Sequence, residues 1–409
     1  MSHRLHRLCE SRREGKNLLR MGVLLTLLLF LTTGALAKDK EKKDPFAKVD
    51  KQKVDTAINK GLEFLLGQAK QNRPLAPSLL PPDLKNPGQA LSGLSAEELV
   101  LYTLIKGGAD TKEETFNKLL EKVLAKKLER TYLVSVLAMA LAELDSQKYQ
   151  AQIAECGQFL MDNQCNNGQW SYGEPVEPLN IKITPSLTGS SKDKESGTRG
   201  VRRIPLQPRK KAKGGPASGD NSNTQYACLG LRACMQADVI IPNDVFALTE
   251  QWFEKKQQKD GGWGYDSPYG NQINPAYGSM SVGALGSLII CKFYLTKRIP
   301  ENDPKILQGL DWLIKNFTVT GNPKFSEPQR WYYYYLYAME RLGAFLETEE
   351  FGKHEWYPTG AELLLKQQEA DGSWKPLGPK QQGVEDTCFA ILFLRRATKS
   401  LRAKITGDK

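Results

Sequence analysis

Three segments of the chain repeat one spacing of four residues. An aromatic residue or a leucine is followed five positions later by glutamine, nine later by glycine and eleven later by tryptophan. The copies are Phe159, Gln164, Gly168 and Trp170; Trp252, Gln257, Gly261 and Trp263; and Leu363, Gln368, Gly372 and Trp374. Such self-similarity constrains the architecture to an array of like units. A weaker unit lies between the last two copies and contains Gly309, Trp312, Leu313 and Gly321.

Each copy predicts the end of a helix and a tight turn, after which the chain reverses direction. Apolar residues recur at helical spacing before the glutamine, and the glycine supplies the positive φ that a helix stop needs. The tryptophan ring can cover the turn, while the glutamine amide can bond exposed backbone groups at helix ends. These residues are therefore predicted to be structural: Gln164, Trp170, Gln257, Trp263, Gln368 and Trp374.

The signature resembles the QW motif of squalene–hopene and oxidosqualene cyclases, whose repeats also occur in protein prenyltransferase β subunits. The resemblance covers about residues 52–400. It implies an all-α fold, a single (α/α)6 toroid in which an inner ring of helices lies inside an outer ring around a central cavity.

The helical patterns come in six pairs, enough to close one barrel. The predicted outer helices are 52–69, 112–126, 147–163, 242–257, 304–316 and 356–368. The predicted inner helices are 95–106, 129–145, 223–238, 278–297, 328–347 and 385–399. Several of the inner segments are apolar nearly all round, as expected of helices packed on both sides.

The first 37 residues are typical of a secretory signal peptide. Arginine and lysine precede an apolar stretch from Met21 to Leu31, and Ala35-Leu36-Ala37 forms a small-x-small cleavage site. The body is therefore predicted to be exported, to the periplasm or the extracellular space. An uncleaved N-terminal anchor is the alternative, although the apolar run is short for a membrane span. A charged linker (38–51) and a tail (401–409) flank the toroid.

Much of the formal net charge of +11 lies in one insertion. Residues 172–219 carry ten basic and four acidic residues and few apolar ones, which predicts a disordered basic loop. It is either a solvated loop or an arm (182–213) that binds an anionic envelope surface such as lipid headgroups. The rest of the predicted mature body is close to neutral, which argues against nucleic-acid binding.

Six cysteines follow the predicted signal peptide. An exported protein permits disulfides, but the sequence does not choose among the pairings. The alternative is that they are small apolar residues of buried helices. They are Cys156, Cys165, Cys228, Cys234, Cys291 and Cys388.

In a toroid of alternating hairpins, the starts of all inner helices open at one end of the barrel. Polar and aromatic residues near those starts are therefore candidates for one cavity mouth. Helix capping by Asp220, Asn223 and Asp386 is the alternative, as is a packed core for the aromatic run that begins at Trp331. The candidates are Asp220, Asn223, Gln225, Tyr226, Tyr277, Trp331, Tyr334, Tyr335 and Asp386.

The resemblance implies an acid that this chain lacks. Class II cyclases protonate their substrate with Asp-x-Asp-Asp-Thr-Ala at an inner helix start. The matching stretch, 220–225, keeps Asp220 and Thr224 but has Ser222 and Asn223 where the two following aspartates belong. An amide has no proton acidic enough to give to an alkene.

The resemblance also implies a zinc site that is incomplete here. Prenyltransferase β subunits bind zinc through Asp-x-Cys and a later histidine. Asp386 and Cys388 supply the first two ligands, but no histidine follows, and His354 precedes the pair. A catalytic zinc needs its third protein ligand. No bound metal and no cofactor are therefore predicted.

These patterns favour a binding or scaffold protein of the cell envelope over an enzyme. Its partner would be an apolar, glycan or protein ligand in the central cavity. The alternative is an enzyme on the same barrel, either cyclase- or transferase-like toward an isoprenoid or glycan-cleaving. Asp220 and Asp386 facing each other across a deep cavity would favour that alternative.

Overall fold

The computed structural model describes residues 48–71, 75, 96–175, 203–208, 219–266, 275–375 and 383–402. The predicted signal peptide, the linker up to residue 47, most of the basic insertion and the end of the tail lie outside the described residues.

The described chain contains twelve α-helices in the predicted alternation, and the predicted all-α fold is confirmed. In chain order they are α1 (Lys51–Lys70), α2 (Glu97–Gly107), α3 (Glu114–Leu124), α4 (Thr131–Asp145), α5 (Gln150–Asp162), α6 (Asn221–Gln236), α7 (Asn243–Lys256), α8 (Gly278–Thr296), α9 (Pro304–Lys315), α10 (Tyr332–Leu346), α11 (Trp356–Gln367) and α12 (Val384–Leu394). The odd-numbered helices are outer and the even-numbered helices are inner.

The inner helices form a closed ring. Each even-numbered helix packs against the next, and α12 packs back against α2. They are buried along most of their length, since they contact the outer helices on one side and each other on the rest. Helix α8 is long and apolar enough to cross a membrane, but it is almost entirely buried within the ring, as a core helix is.

Two short sheets lie between helices. Strands β1 (Ile204–Pro205) and β2 (Val239–Ile240) are parallel, and β3 (Glu350–Phe351) and β4 (His354–Glu355) are antiparallel. Strand β1 departs from the disorder predicted for the insertion. The backbone nitrogens of Ile204 and Gln207 donate to Asp238 O and Gln158 Oε1 at 3.0 and 2.8 Å, so 203–208 are attached to the body.

The repeated tryptophans cap the C-terminal ends of the outer helices that precede them. Each ring is fully buried, and its indole nitrogen donates to a carbonyl near the end of the preceding outer helix. That carbonyl would otherwise lack a partner within the helix. The pairs are Trp170 to Leu160 at 2.6 Å, Trp263 to Phe253 at 2.8 Å and Trp374 to Leu364 at 2.9 Å.

The repeated glutamines join neighbouring outer helices. Each Nε2 donates to a backbone carbonyl of the next outer helix. Gln368 reaches back to the first helix and so bridges α11 and α1 where the outer ring closes. The pairs are Gln164 to Val245 at 2.9 Å, Gln257 to Lys305 at 2.9 Å and Gln368 to Ala57 at 2.8 Å.

The weaker unit corresponds to a real helix pair, α9 and α10, but its tryptophan is not equivalent to the others. Trp312 lies inside α9 and donates to Asp260 Oδ2 at 3.0 Å. Asn322 is the buried residue of the following turn, and it accepts from the Ser279 backbone nitrogen at 2.8 Å. Asn322 therefore joins this turn to the start of α8, and it does not bond to the end of α9 as the indoles bond to their own outer helices.

The last inner helix ends earlier than predicted. Arg396 has φ of 51°, and the chain then turns back across the ends of the inner helices. The backbone nitrogen and hydroxyl of Thr398 donate to Glu340 at 2.9 and 2.7 Å, and Arg232 Nη2 donates to Lys399 O at 2.7 Å. This segment covers the end of the ring opposite the helix starts.

The six cysteines of the body are free thiols, and all are buried. They occupy helix faces and turns of the core, as small apolar residues do.

Candidate functional site

Side chains from several inner-helix starts meet inside the ring. The Tyr334 hydroxyl of α10 lies 3.0 Å from Ser222 Oγ of α6, and its ring packs edge-on against Phe389 of α12. The rings of Tyr132 on α4 and Tyr226 on α6 have centroids 4.0 Å apart. Four of the six inner helices thus contribute to one aromatic cluster.

Asp220 is a satisfied helix cap. Its Oδ1 accepts from the Asn223 backbone nitrogen at 2.8 Å, and its Oδ2 accepts from the Asn223 amide at 2.8 Å. Burial raises the pKa of this carboxyl, and these hydrogen bonds oppose the rise. Both residues named in the sequence as mouth candidates are therefore engaged with each other at the start of α6.

Gln225 joins two residues of α10 across the ring. Its Nε2 donates to the Tyr334 hydroxyl, and its Oε1 accepts from Arg341 Nη2 at 3.1 Å. The Arg341 guanidinium lies over the rings of Tyr337 and Tyr226, with centroid distances of 4.2 and 5.5 Å. We call Gln225, Tyr334 and Arg341 the central link.

Sequence reasoning missed Arg341. It is 3% exposed, although arginine is almost never fully buried without a partner. The sequence does single out Arg341, because Glu340 and Arg341 are the only charged residues of the otherwise apolar and aromatic helix α10.

The space around the central link is small. One cavity, of about 10 Å³, is lined by residues that include Gln225, Ser287 and Arg341. A second, of about 20 Å³, lies toward the far end of the ring near Lys106 and Glu143. A cavity of this size holds about one water molecule. Beside Gln225, Ser287 and Arg341, the side chains therefore leave room for about one water molecule.

Asp386 differs from Asp220 although it also lies in the first turn of an inner helix. It is 6% exposed, and its Oδ2 has no hydrogen-bond partner among the described residues. Burial raises its pKa to about 8, and the neighbouring charge of Glu385 adds to the effect. Asp386 is therefore mostly a neutral carboxylic acid at pH 7.

The proposed metal ligands are not gathered into a site. Cys388 is buried, burial raises the pKa of its thiol, and Thr103 is its hydrogen-bonding neighbour. His354 lies in β4 and stacks on Phe317 with centroids 4.4 Å apart. No group of three or more potential ligands occurs in the part of the chain that the structure describes.

The remaining aromatic candidates divide between the mouth and the wall. Tyr277 and Trp331 are half-buried at the starts of α8 and α10, and Trp331 contacts Tyr334 edge-on at 6.3 Å. The Tyr335 side chain instead points away from the centre of the ring. Its hydroxyl donates to Thr318 O at 3.1 Å in the loop after α9. Tyr335 belongs to the packed wall and not to the mouth.

Two further tyrosines border the mouth. Tyr172 is 48% exposed, and its hydroxyl lies 3.4 Å from that of the half-buried Tyr265. Burial raises the pKa of both Tyr265 and Tyr277, and the nearby Asp220 adds to the effect. We call Tyr172, Tyr265, Tyr277 and Trp331 the aromatic rim.

Comparison with known proteins gives fold neighbours only. No family model matches the chain, and no curated protein matches it. Among solved structures it is similar to the type II terpene cyclase MstE from Scytonema. An arginine-to-alanine variant with geranylgeranyl dihydroxybenzoate has a TM-score of 0.48 at 12% identity, covering 85% of this chain and 98% of that chain. The apo form has a TM-score of 0.47 at 12% identity, with the same coverage.

Proposed function

We propose that this protein is an exported binding protein that engages a ligand of the cell envelope at the aromatic rim and does not transform an isoprenoid inside its ring. The central link carries this proposal. Gln225 joins Tyr334 and Arg341 across the ring, and the cavity beside Gln225 and Arg341 has room for about one water molecule.

The chemistry of the site argues against alkene protonation at α6. Asn223 stands at the position of the acid, and its amide already donates to Asp220. A carbocation formed beside Arg341 would be repelled by a permanently charged guanidinium. Asn223 therefore supplies no initiating acid, and the charge of Arg341 disfavours a product cation beside it.

The aromatic rim suits a glycan. It presents partly exposed rings beside the hydroxyls of Tyr172 and Tyr265. Ring faces can pack on the apolar face of a sugar, and the hydroxyls can exchange hydrogen bonds with its substituents. A peptide segment of an envelope protein is the second ligand class that such a surface accommodates.

Asp386 supports an enzymatic alternative. A buried carboxyl that keeps its proton near neutral pH and has an unbonded oxygen among the described residues can act as a general acid. This alternative places catalysis at α12, on the other side of Tyr334 from Asp220.

Binding to envelope fractions separates these functions. The chain from residue 38 onward is incubated with a glycan array and with envelope extract, and isoprenoid and glycan substrates are assayed in parallel for products. Replacing Tyr172 by Ala should weaken binding about tenfold, roughly 1.4 kcal/mol. Leu307→Ala, which changes a side chain of similar exposure far along the sequence on α9, is the matched control.

The outcomes exclude one another. Equal binding by Tyr172→Ala and Leu307→Ala would remove the rim from the proposal. Product formation by the wild-type chain that is lost in Asp386→Asn would replace the binding function by the enzymatic one.

The basic arm remains a separate proposal. All of residues 182–213 except 203–208 lie outside the described residues, and the positive charge of the arm supports attraction to anionic lipid. Deleting them should weaken flotation with vesicles containing anionic lipid, and the effect should disappear at high salt. Unchanged flotation would leave the segment as a solvated loop.

A further inference from the structure

The centre of the ring contains a buried cation, Arg341, that is not directly paired with a carboxylate of the described residues. Its Nη2 donates to Gln225, whereas its Nη1 makes no well-formed hydrogen bond in that part of the chain. The Tyr226 hydroxyl is a polar neighbour of the guanidinium. Burial of a charge in this state is unfavourable, because the group has lost water without gaining a direct ion pair.

The nearest carboxylate in sequence does not resolve the imbalance. Glu340 precedes Arg341 on α10, but its two oxygens accept from the Thr398 backbone nitrogen and hydroxyl. The rings of Tyr226 and Tyr337 attract the guanidinium but carry no net charge. The positive charge is therefore offset only in part.

The cavity beside Arg341 limits what could complete this arrangement. Its volume of about 10 Å³ accommodates one occupant of roughly the size of a water molecule. Phosphate, sulfate and carboxylate groups have several heavy atoms and are too large. Leu229 and Phe345 form part of the lining, so the occupant lies against apolar surface on those sides.

We propose that this cavity binds a single halide ion, chloride under physiological conditions, with Nη1 of Arg341 as its charged donor. A water molecule would accept a hydrogen bond from Nη1 but would leave the guanidinium charge uncompensated. A halide accepts that bond and neutralises the charge. The site is inside the ring and is independent of the ligand proposed for the aromatic rim.

Crystallography of the wild-type chain tests the site directly. Crystals grown in chloride and soaked in bromide should show an anomalous peak within hydrogen-bond distance of Arg341 Nη1. Electron density without an anomalous peak would identify the occupant as water and overturn the proposal. This measurement needs no variant, so it does not depend on whether a substituted ring folds.

Solution stability supplies a second test. Urea unfolding is followed in sodium chloride and in sodium gluconate at equal ionic strength, since gluconate is too large for the cavity. The wild-type midpoint should rise saturably with chloride, because an ion that binds the folded state stabilises it. Arg341→Gln should abolish the chloride dependence, and Arg330→Gln, at the more exposed Arg330 that pairs with Glu327, should retain it. Equal midpoints in the two salts for the wild-type chain would contradict the proposal.

Discussion

The repeated turns and the starts of the inner helices lie close together, yet one set is uniform and the other is not. All three turns place a tryptophan indole on the end of its own outer helix and a glutamine amide on the next outer helix. The helix starts differ from one another. Asp220 caps its helix by hydrogen bonds, Tyr277 precedes α8, and Trp331 has a backbone in the left-handed region. Asp386 has a carboxyl oxygen without a hydrogen-bond partner among the described residues.

This difference separates what builds the ring from what the ring presents. The three repeated turns make the same tryptophan and glutamine contacts, which stabilise the helix ends and join neighbouring outer helices. These contacts do not distinguish one turn from another chemically. The helix starts share one backbone geometry, but each has a different side chain and environment. Function is therefore expected among the non-repeated residues, and stability among the repeated ones.

The largest effect is expected from truncating a repeated tryptophan. Trp263→Ala removes a fully buried ring and its bond to Phe253 O, and should cost about 3–5 kcal/mol of unfolding free energy. Trp170→Ala and Trp374→Ala should cost similar amounts if the turns are equivalent. Urea unfolding measures each loss, with the exposed Tyr172→Ala as control. If any one of the three variants unfolds at the wild-type urea concentration, the tryptophan of that turn does not stabilise the protein.

The repeated glycine should be the next most sensitive position. Gly372 has φ of 83°, and a Cβ there would lie 2.4 Å from Lys60 O of α1. Gly372→Ala should therefore cost about 1–3 kcal/mol, through backbone strain and the clash where the outer ring closes. Gly67→Ala on the exposed face of α1, where a Cβ meets nothing within 4 Å, should instead stabilise the protein slightly. Equal thermal midpoints for the two variants would contradict this account.

The scaffold could be predicted from sequence because its determinants are local and repeated. The spacing from Gln257 to Trp263 places a helix end, a glycine turn and an indole within a few residues, and the same arrangement recurs twice. Helix periodicity then gave all twelve helices, with errors only at their ends. Trp331, immediately before α10, and Arg396, two residues after α12, both have positive φ.

The centre of the ring could not be predicted in the same way, because its contacts join residues far apart in the chain. Gln225 and Arg341 meet across 116 residues, and no spacing rule connects them. The segment that follows α12 reads as helix in isolation, but its bonds to Glu340 and Arg232 turn it across the ring. Contacts between residues distant in sequence therefore determine both the Gln225–Arg341 bond and the path of the chain after α12.

Asp386 should reveal its environment through pH. Its ordinary pKa is 3.8 and its folded pKa is about 8, so between these values the folded protein holds a proton that the unfolded chain releases. Its contribution to stability is therefore complete below about pH 4 and is lost as the pH rises through about 8. Asp386→Asn should lack this loss.

Urea unfolding at pH 5 and pH 9 measures the effect. Relative to Asp386→Asn, the wild-type chain should become less stable at the higher pH by at least about 1.4 kcal/mol, a tenfold change in the unfolding constant. Asp311→Asn, at an exposed position on α9, should show no such gain over wild type at high pH. A difference between wild type and Asp386→Asn that stays constant with pH would mean that Asp386 is already ionised at pH 5.

Asp220 should give the smallest effect and complete the contrast with Asp386. Asp220→Ala removes the cap of α6 and should cost about 1 kcal/mol, whereas Asp220→Asn keeps an acceptor for the Asn223 backbone nitrogen and should cost less. If capping is its whole role, both variants should bind envelope ligands as the wild-type chain does, because the rim rings remain in place. A loss of binding in Asp220→Asn that exceeds its loss of stability would instead make the Asp220 carboxylate part of the ligand site. The two aspartates would then share a function at the mouth, and the division between cap and reactive group would no longer hold.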